Sequence, residues 1–558
     1  MEIREVKEVK GVKGVKDVCI GPENIPNGRK DYCLFFASLK ETSPLNSLNS
    51  KVLTKQQLEL FTSNNIKIMK KSKNIKSILF LILCVCGIQS LSAKSSCPFD
   101  MPEVKQPVIP DYTVSIVDFG GVGDGGTMNT ESFAKAMKHL AQKGGGKLVV
   151  PAGIWLTGPI QFENCTELHV EQGALVLFTT DFDAYPLVSS IYEGNTAQKK
   201  MAPLWAYEKH DVAITGAGAF DAQGQAWRPS KKSKFTESQW KELTSGKGIE
   251  MKNVWYPDAK DDELAGKPGK PDMRRVTQRP VLLEFTSCKR VLLKDATFSN
   301  SPAWNTHPLK CEDVTIDHVT IRNPWYAQNG DGLDLESCNR VIIKNSTFDV
   351  GDDAICIKSG KNKEGRDWKM PCQNVLIEGC TVLHGHGGFV IGSEMSSGAR
   401  NIYVNNCLFN GTDTGLRMKS TRGRGGVVEN IYVENINMVD IKGDAFTFDL
   451  YYANKPVAGK SDNTTSASDA VPPVTEETPC FRNLFISNIT CQGAKRAIYF
   501  NGLPEMPLDN LQMKNSLFVS EKGAELNYAK NILFDNVKIV NSKGEPLVKK
   551  FVENMTEK

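Results

Sequence analysis

The chain has little in the way of long apolar runs. Its apolar run Ile78–Ile88 (ILFLILCVCGI) falls well short of the about 20 residues required to cross a bilayer as a helix. It also lacks a basic surplus that would draw nucleic acid. Residues 1–93 hold 15 Lys+Arg against 8 Asp+Glu, and the other 465 residues hold 53 against 56. An anionic ligand would therefore need a local cluster of cations to attract it. Most of the eleven cysteines from Cys97 to Cys491 stand outside CxxC or Cys/His zinc spacing. The glycine-rich stretch GGVGDGG lacks the spacing of a nucleotide-binding loop before its helix.

What is present begins with a leader. Met69 opens a basic segment (MKKSKNIK), the apolar run follows, and QSLSA ends at Ala93. This is the layout of a secretory signal peptide. Residues 69–93 are thus expected to direct export to the periplasm or outside the cell. Residues 1–68 read as an upstream extension, and 94–558 as one catalytic domain. At its start, Val114–Gly125 reads as a strand and a turn. Thr130–Lys143 reads as a helix capped by Thr130, with Phe133, Met137 and Leu140 on one face. Residues 225–279, rich in Lys and Trp, read as a long loop excursion.

From Cys288 the chain repeats. The units CKRVLLKDATFSN, CEDVTIDHVTIRN, CNRVIIKNSTFDV and CQNVLIEGCTVLH start at 288, 311, 338 and 372. Related units start at 399, 428, 481, 508 and 529. A unit this short cannot bury its own apolar face, but a stack of units can. No unit has helical period, which excludes helical solenoids. The fold class expected is all-β: a single right-handed parallel β-helix with an N-terminal capping helix and long loop insertions. Two oversized spacings locate further loops at Gly360–Pro371 and Asn454–Pro479. Cys288, Cys311, Cys338 and Cys372 share one register, so they form either a buried row of small side chains or one or two disulfides.

The chemistry gathers between Asn329 and Lys419. Asp331 and Asp352 are 21 residues apart and each precedes an apolar run. Both are expected at the same turn on adjacent coils, with Asp353 alongside. Carboxylates that close cannot all ionise freely, so at least one pKa is raised. An acid held protonated beside an ionised base suits glycoside hydrolysis. His386 falls on the next coil, where it can bond the acid and set its protonation. Its flanking glycines would let backbone approach a sugar. Arg417 and Lys419 alternate around Met418 one coil further and suit a carboxylated substrate. Any single Asp at a coil turn serves turn chemistry equally well; the alignment over four coils is what points to a site. His384 reads as a solvated neighbour.

These motifs resemble glycoside hydrolase family 28, the polygalacturonase family. Its four motifs NTD, GDD, GHG and RIK match Asn329-Gly330-Asp331, Gly351-Asp352-Asp353, Gly385-His386-Gly387 and Arg417-Met418-Lys419. NSPAWNTHP (Asn300–Pro308) and ITGAGAFDAQG support the likeness. The resemblance implies inverting hydrolysis of α-1,4-galacturonosyl bonds in pectin. Asp352 would be the general acid, Asp331 and Asp353 would activate water, and His386 would tune Asp352. Arg417 and Lys419, with Asn329, would contact the substrate. No metal or cofactor is implied, and a monomer is expected. GHGGFVIGSEMSSG and RGRGGVVENI look like exo-acting members, and Asp444 stands where endo-acting members carry a tyrosine. The alternatives are endo attack, or a rhamnogalacturonan or xylogalacturonan substrate. A calcium-dependent pectate lyase and a non-enzymatic adhesin fit the GHG and RMK motifs poorly.

Overall fold

In the unit CNRVIIKNSTFDV, Cys338, Val341, Ile343 and Phe348 are buried while Arg340 and Lys344 reach outward. That alternation is the period of a strand with one face on a core. Each aliphatic side chain so buried stabilises the fold by about 1.5–3 kcal/mol. The next coil repeats the pattern in register, and the rows become continuous. One runs Leu148, Leu168, Ile214, Leu293, Ile316, Ile343, Ile377, Val404, Val433, Ile486 and Met513.

The computed structural model describes residues 97–246, 248–257, 273–452 and 471–558. Residues 97–558 form one compact unit, a right-handed parallel β-helix. Three parallel sheets run its length. The Cys311 coil, for example, contributes Thr306–Leu309, Glu312–Asp317 and Thr320–Arg322, one strand to each sheet. Coils begin well before the visible repeat, since Gly146–Val150 already pairs with Thr166–Val170. The expected extension and signal peptide lie outside the described residues, as do 258–272 of the insert and 453–470 of the low-complexity loop.

The corners explain a regularity the repeat left unread. Asn374, Asn401, Asn430, Asn483 and Asn510 each occupy the left-handed region, with φ between 51° and 55°. Asparagine tolerates that conformation better than other side chains. Stacked at one corner, they also bond to each other. The amide of Asn401 donates to Asn374 at 3.1 Å, Asn430 to Asn401 at 3.2 Å and Asn483 to Asn430 at 3.2 Å.

Several expectations need correction. The first helix spans Thr130–Gln142, but Asn129 is its cap residue and makes no side-chain capping bond. Thr130 Oγ1 instead accepts from Gly158 N at 2.7 Å. The helix does bury Phe133, Met137 and Leu140 against the first coils. The insert is no plain loop: it holds the helices Glu237–Thr244 and Met273–Thr277 and a three-stranded sheet of its own. Gly360–Pro371 contains the helix Asn362–Trp368. The cysteine row is buried and reduced, with no disulfide among the described residues.

Asn430→Ala removes two ladder bonds, worth about 0.5–1.5 kcal/mol each. It also places a side chain that disfavours the left-handed region there, at about 1–2 kcal/mol. Denaturant unfolding should show a loss of about 2–5 kcal/mol, with Asn430→Gly recovering the conformational part. Equal losses for the two variants would remove the strain argument.

Candidate active site

The sheet of Thr306–Leu309, which continues as Leu333–Glu336, Ile355–Lys358, Gly387–Ile391 and Thr414–Lys419, carries the site on its outward face and on the turn that precedes each of its strands. Leu333 pairs with Ile355, so Asp331 stands beside Asp353 on the next coil. Gly332 N bonds to Asp353 O at 2.9 Å across that step. The register therefore joins Asp331 to Asp353, 22 residues on, with Asp352 one residue before it. The NSPAWNTHP segment holds this turn from the coil below. Asn305 N donates to Asp331 O at 3.0 Å, and Asn323 Nδ2 donates to the same oxygen at 3.0 Å.

His386 lies on the coil above. Its Nδ1 is 3.0 Å from Asp352 Oδ1, and its backbone N donates to Asp352 O at 2.8 Å. On the next coil Lys419 Nζ is 2.6 Å from Asp353 Oδ2, and Arg417 Nη1 is 3.7 Å from Asp353 Oδ1. Asp352, His386 and Arg417 are half-buried, whereas Asp331 and Asp353 are buried beneath them. Oδ1 of Asp331 and Oδ1 of Asp353 have no hydrogen-bond partner among the described residues.

The carboxyls differ in what surrounds them. Burial pushes Asp331 well above the usual range, and the charge of Asp352 adds to the effect. Burial also pushes Asp352 up, but the bond and charge of His386, with help from Lys419, outweigh it and hold Asp352 at about 2. His386 is raised in return, first by its bond to Asp352, against burial. The expectation that one carboxyl is raised is met by Asp331, while the carboxyl next to the histidine is lowered. The cause is the imidazolium, which favours the charged form of its partner. Deeper in the same sheet, Lys358 Nζ lies 3.4 Å from Asp334 Oδ1 and 3.1 Å from Glu394 Oε2.

With this geometry in hand, comparison with known proteins is direct. The model of glycosyl hydrolases family 28 matches residues 265–475. A hyperthermoactive exopolygalacturonase from Thermotoga maritima superposes with a TM-score of 0.63 at 30% identity, over 80% of this chain and 94% of that one. The chain belongs to glycosyl hydrolases family 28. A probable polygalacturonase from Vitis vinifera is 29% identical over 59% of this chain and 62% of its own length. An exo-poly-alpha-D-galacturonosidase from Dickeya chrysanthemi is 27% identical over 70% of this chain and 64% of its own. The chain thus spans a little under two thirds of these two relatives, and further matches are named endo-polygalacturonases.

Within the four matched motifs, Lys419 and Asn329 have partners in the protein itself. Lys419 is buried, and its Nζ pairs with Asp353. Burial disfavours its charge, yet Asp353 overcomes this and its pKa is raised. Arg417 is left as the more exposed cation, with its guanidinium 5.6 Å from the Tyr452 ring centre. Asn329, at φ 52°, is a turn residue whose Oδ1 accepts from Arg279 at 2.8 Å. The glycines that follow His386 are closely packed, one within its own strand and one against the next coil. A Cβ on Gly387 would lie 2.4 Å from the Val390 side chain, and one on Gly388 2.6 Å from the Phe409 ring. His384 is exposed and bonds Asp349 at 2.9 Å, as a solvated neighbour should.

Asp352, Asp353 and His386 could each offer a ligand atom within 4.8 Å of the others. Lys419 already supplies positive charge at Asp353, and Nδ1 of His386 is committed to Asp352. The trio therefore has little left with which to hold a cation. Two contributors went unread in the sequence. Asp413 Oδ2 lies 3.7 Å from His386 Nε2, and only its place in the coil register could have drawn attention to it. Tyr452 was hidden in the hydrophobic run that precedes it.

Replacing His386 by Ala removes the group that holds Asp352 down and leaves burial, which raises it. The Asp352 carboxyl should then titrate above the value of about 2 it has now. A carboxyl-labelled NMR titration reads this, and an unmoved Asp352 would refute the pairing.

Proposed function

We propose that this chain hydrolyses the α-1,4-galacturonosyl linkages of polygalacturonate with inversion, removing sugars from one end of the polymer. The observation that carries the reading is the acid row. Asp331 and Asp353 stand side by side, with the Asp352–His386 pair opening to solvent beside them and Arg417 one coil on. Asp352 and His386 share one proton. Asp352 delivers it to the departing glycosidic oxygen as that bond breaks. A water attacks the anomeric carbon from the opposite face and gives its proton to Asp353, whose Oδ1 is without a hydrogen-bond partner among the described residues. Asp331, raised by burial, holds its proton and orients that water. A water between two carboxyls is what inversion requires. Arg417 takes the uronate carboxylate, a match for its planar fork.

Attack from a chain end is supported by the cover over one side of the cleft. The hairpin of Leu187–Tyr192 and Asn195–Lys200 lies over the outward face of the sheet that carries the site. There Ser190 bonds Glu284, and Tyr192 packs on Trp304 with ring centres 5.0 Å apart. Arg279 of the insert donates to Gln328 O at 2.9 Å. Glu284, His307 and Asp334 are buried as a result, so the groove is closed on the side before Asp331. Toward Thr447 and Tyr499 that face is only half-buried. A groove closed at one side admits a chain end and not the middle of a chain.

Three measurements test the reading. Asp352→Asn should lower the release of galacturonic acid by about 10²–10⁴-fold, the usual worth of a general acid, with the fold intact by circular dichroism. Full activity in that variant would remove the acid assignment. Products from polygalacturonate should be monomer from the first time point, and a ladder of oligomers would mean endo attack. The rate should fall on the alkaline side above pH 6.5, the ordinary histidine value, because the shared proton leaves from a raised His386. In His386→Ala that limb should move to lower pH, since the proton then sits on a carboxyl.

A further inference from the structure

The turn row that carries the acids continues past them. It runs Asp331, Asp353, Gly387 and Thr414, and then Asp444, Arg496 and Lys522. Its charge changes sign along the way. Around the last three residues opens a cavity of about 510 Å³, within the usual size of a ligand pocket. Its wall carries four cations, Lys442, Lys495, Arg496 and Lys522, against two acids, Asp413 and Asp444. This local excess sits on a molecule whose residues 94–558 are net negative.

The pocket is continuous with the site. Asp413 lines it and also faces Nε2 of His386 at 3.7 Å. Arg496 is held in place by Asp444, with bonds of 3.0 and 2.7 Å, and by Glu525 at 3.2 Å. Its guanidinium lies over the Tyr499 ring at 4.0 Å. Tyr499 belongs to the outward row that begins at Arg417 and passes through Thr447. Lys442 pairs with Asp440 at 2.6 Å, both exposed. Lys495 and Lys522 are exposed and make no ion pair with a carboxylate among the described residues. Three coil steps of about 4.8 Å separate Thr414 from Lys522, roughly 14 Å in all, which exceeds the length of one sugar ring.

We infer that this pocket is a second carboxylate-binding site, which takes a uronate of the same polyanion beyond the one at Arg417, on the open side of the groove. Lys495 and Lys522 supply its charge, and the braced Arg496–Tyr499 pair supplies a flat wall. The inference rests on the polygalacturonate reading and adds a dependence on chain length. A dimer would span the cleavage point without reaching the pocket, whereas a longer chain would fill it.

The experiment is the double variant K495A/K522A, assayed on digalacturonate and on polygalacturonate at low and at moderate salt. KM for the polymer should rise about three- to tenfold, the worth of two partly exposed charge contacts. That rise should exceed any change with the dimer, and the salt dependence of polymer KM should flatten. Equal effects on dimer and polymer, or none on either, overturn the inference. If the unaltered protein cleaves neither substrate, the activity reading fails by itself. The pocket is then tested by calorimetry with tetragalacturonate: weaker binding by the double variant supports it, and unchanged or undetectable binding overturns it.

Discussion

Coil-on-coil register is the constraint on which everything else in this molecule depends. In a parallel sheet each strand is tied by backbone hydrogen bonds to its counterpart one coil away, and a slip of one position would turn every side chain to the opposite face. The aliphatic row from Leu148 to Met513 penalises such a slip at each step. The left-handed asparagine corners resist it again, because the amide ladder is satisfied only when corner stands over corner. Register held this firmly turns a distance along the chain into a fixed neighbourhood. Asp331 and Asp353 meet because they occupy the same station on successive coils, with His386 one residue before that station and Arg417 three residues past it on the next two coils.

Proximity then makes the acids unequal. Asp331 and Asp352 lie on adjacent coils, yet one is pushed far up and the other down to about 2. Burial acts on both. The main difference is the imidazole of His386, which bonds Asp352, with Lys419 helping, while Asp331 faces the charge of Asp352 instead. Separating the proton affinities of neighbouring carboxyls is what acid–base chemistry on a sugar needs. Lys419 serves the same end from below, buried and bonded to Asp353. The deeper Asp334–Lys358–Glu394 group extends this charge pairing under the cover. Burial would raise Glu394, but Lys358 holds it down.

The elaborations that interrupt the repeat determine what reaches this row. Hairpin and insert pack over the outward face before Asp331, with apolar contacts around Trp304 and buried polar ties such as Arg279 to Asn329. Past Arg417 the same face is half-buried and its neighbourhood turns basic. The same face therefore has a covered side, the acid row in its middle and a cationic continuation, all from one solenoid with unequal loops.

Much of this was legible from residues alone, because a solenoid writes its structure as a local pattern. The apolar alternation, the unit length and the placement of aspartates before apolar runs are properties of short segments, and they determined the β-helix and the acids with His386 and Arg417. What escaped depends on residues far apart along the chain. The commitment of Lys419 to Asp353 spans 66 positions, and that of Asn329 to Arg279 spans 50. The helices of the insert and the fate of the cysteine row also required neighbours that no short segment contains. The sequence by itself determined which side chains arrive at the groove, since turn and strand preferences are local. Tertiary structure alone decided which of them remain free to act there, since burial and ion pairing belong to the packed molecule.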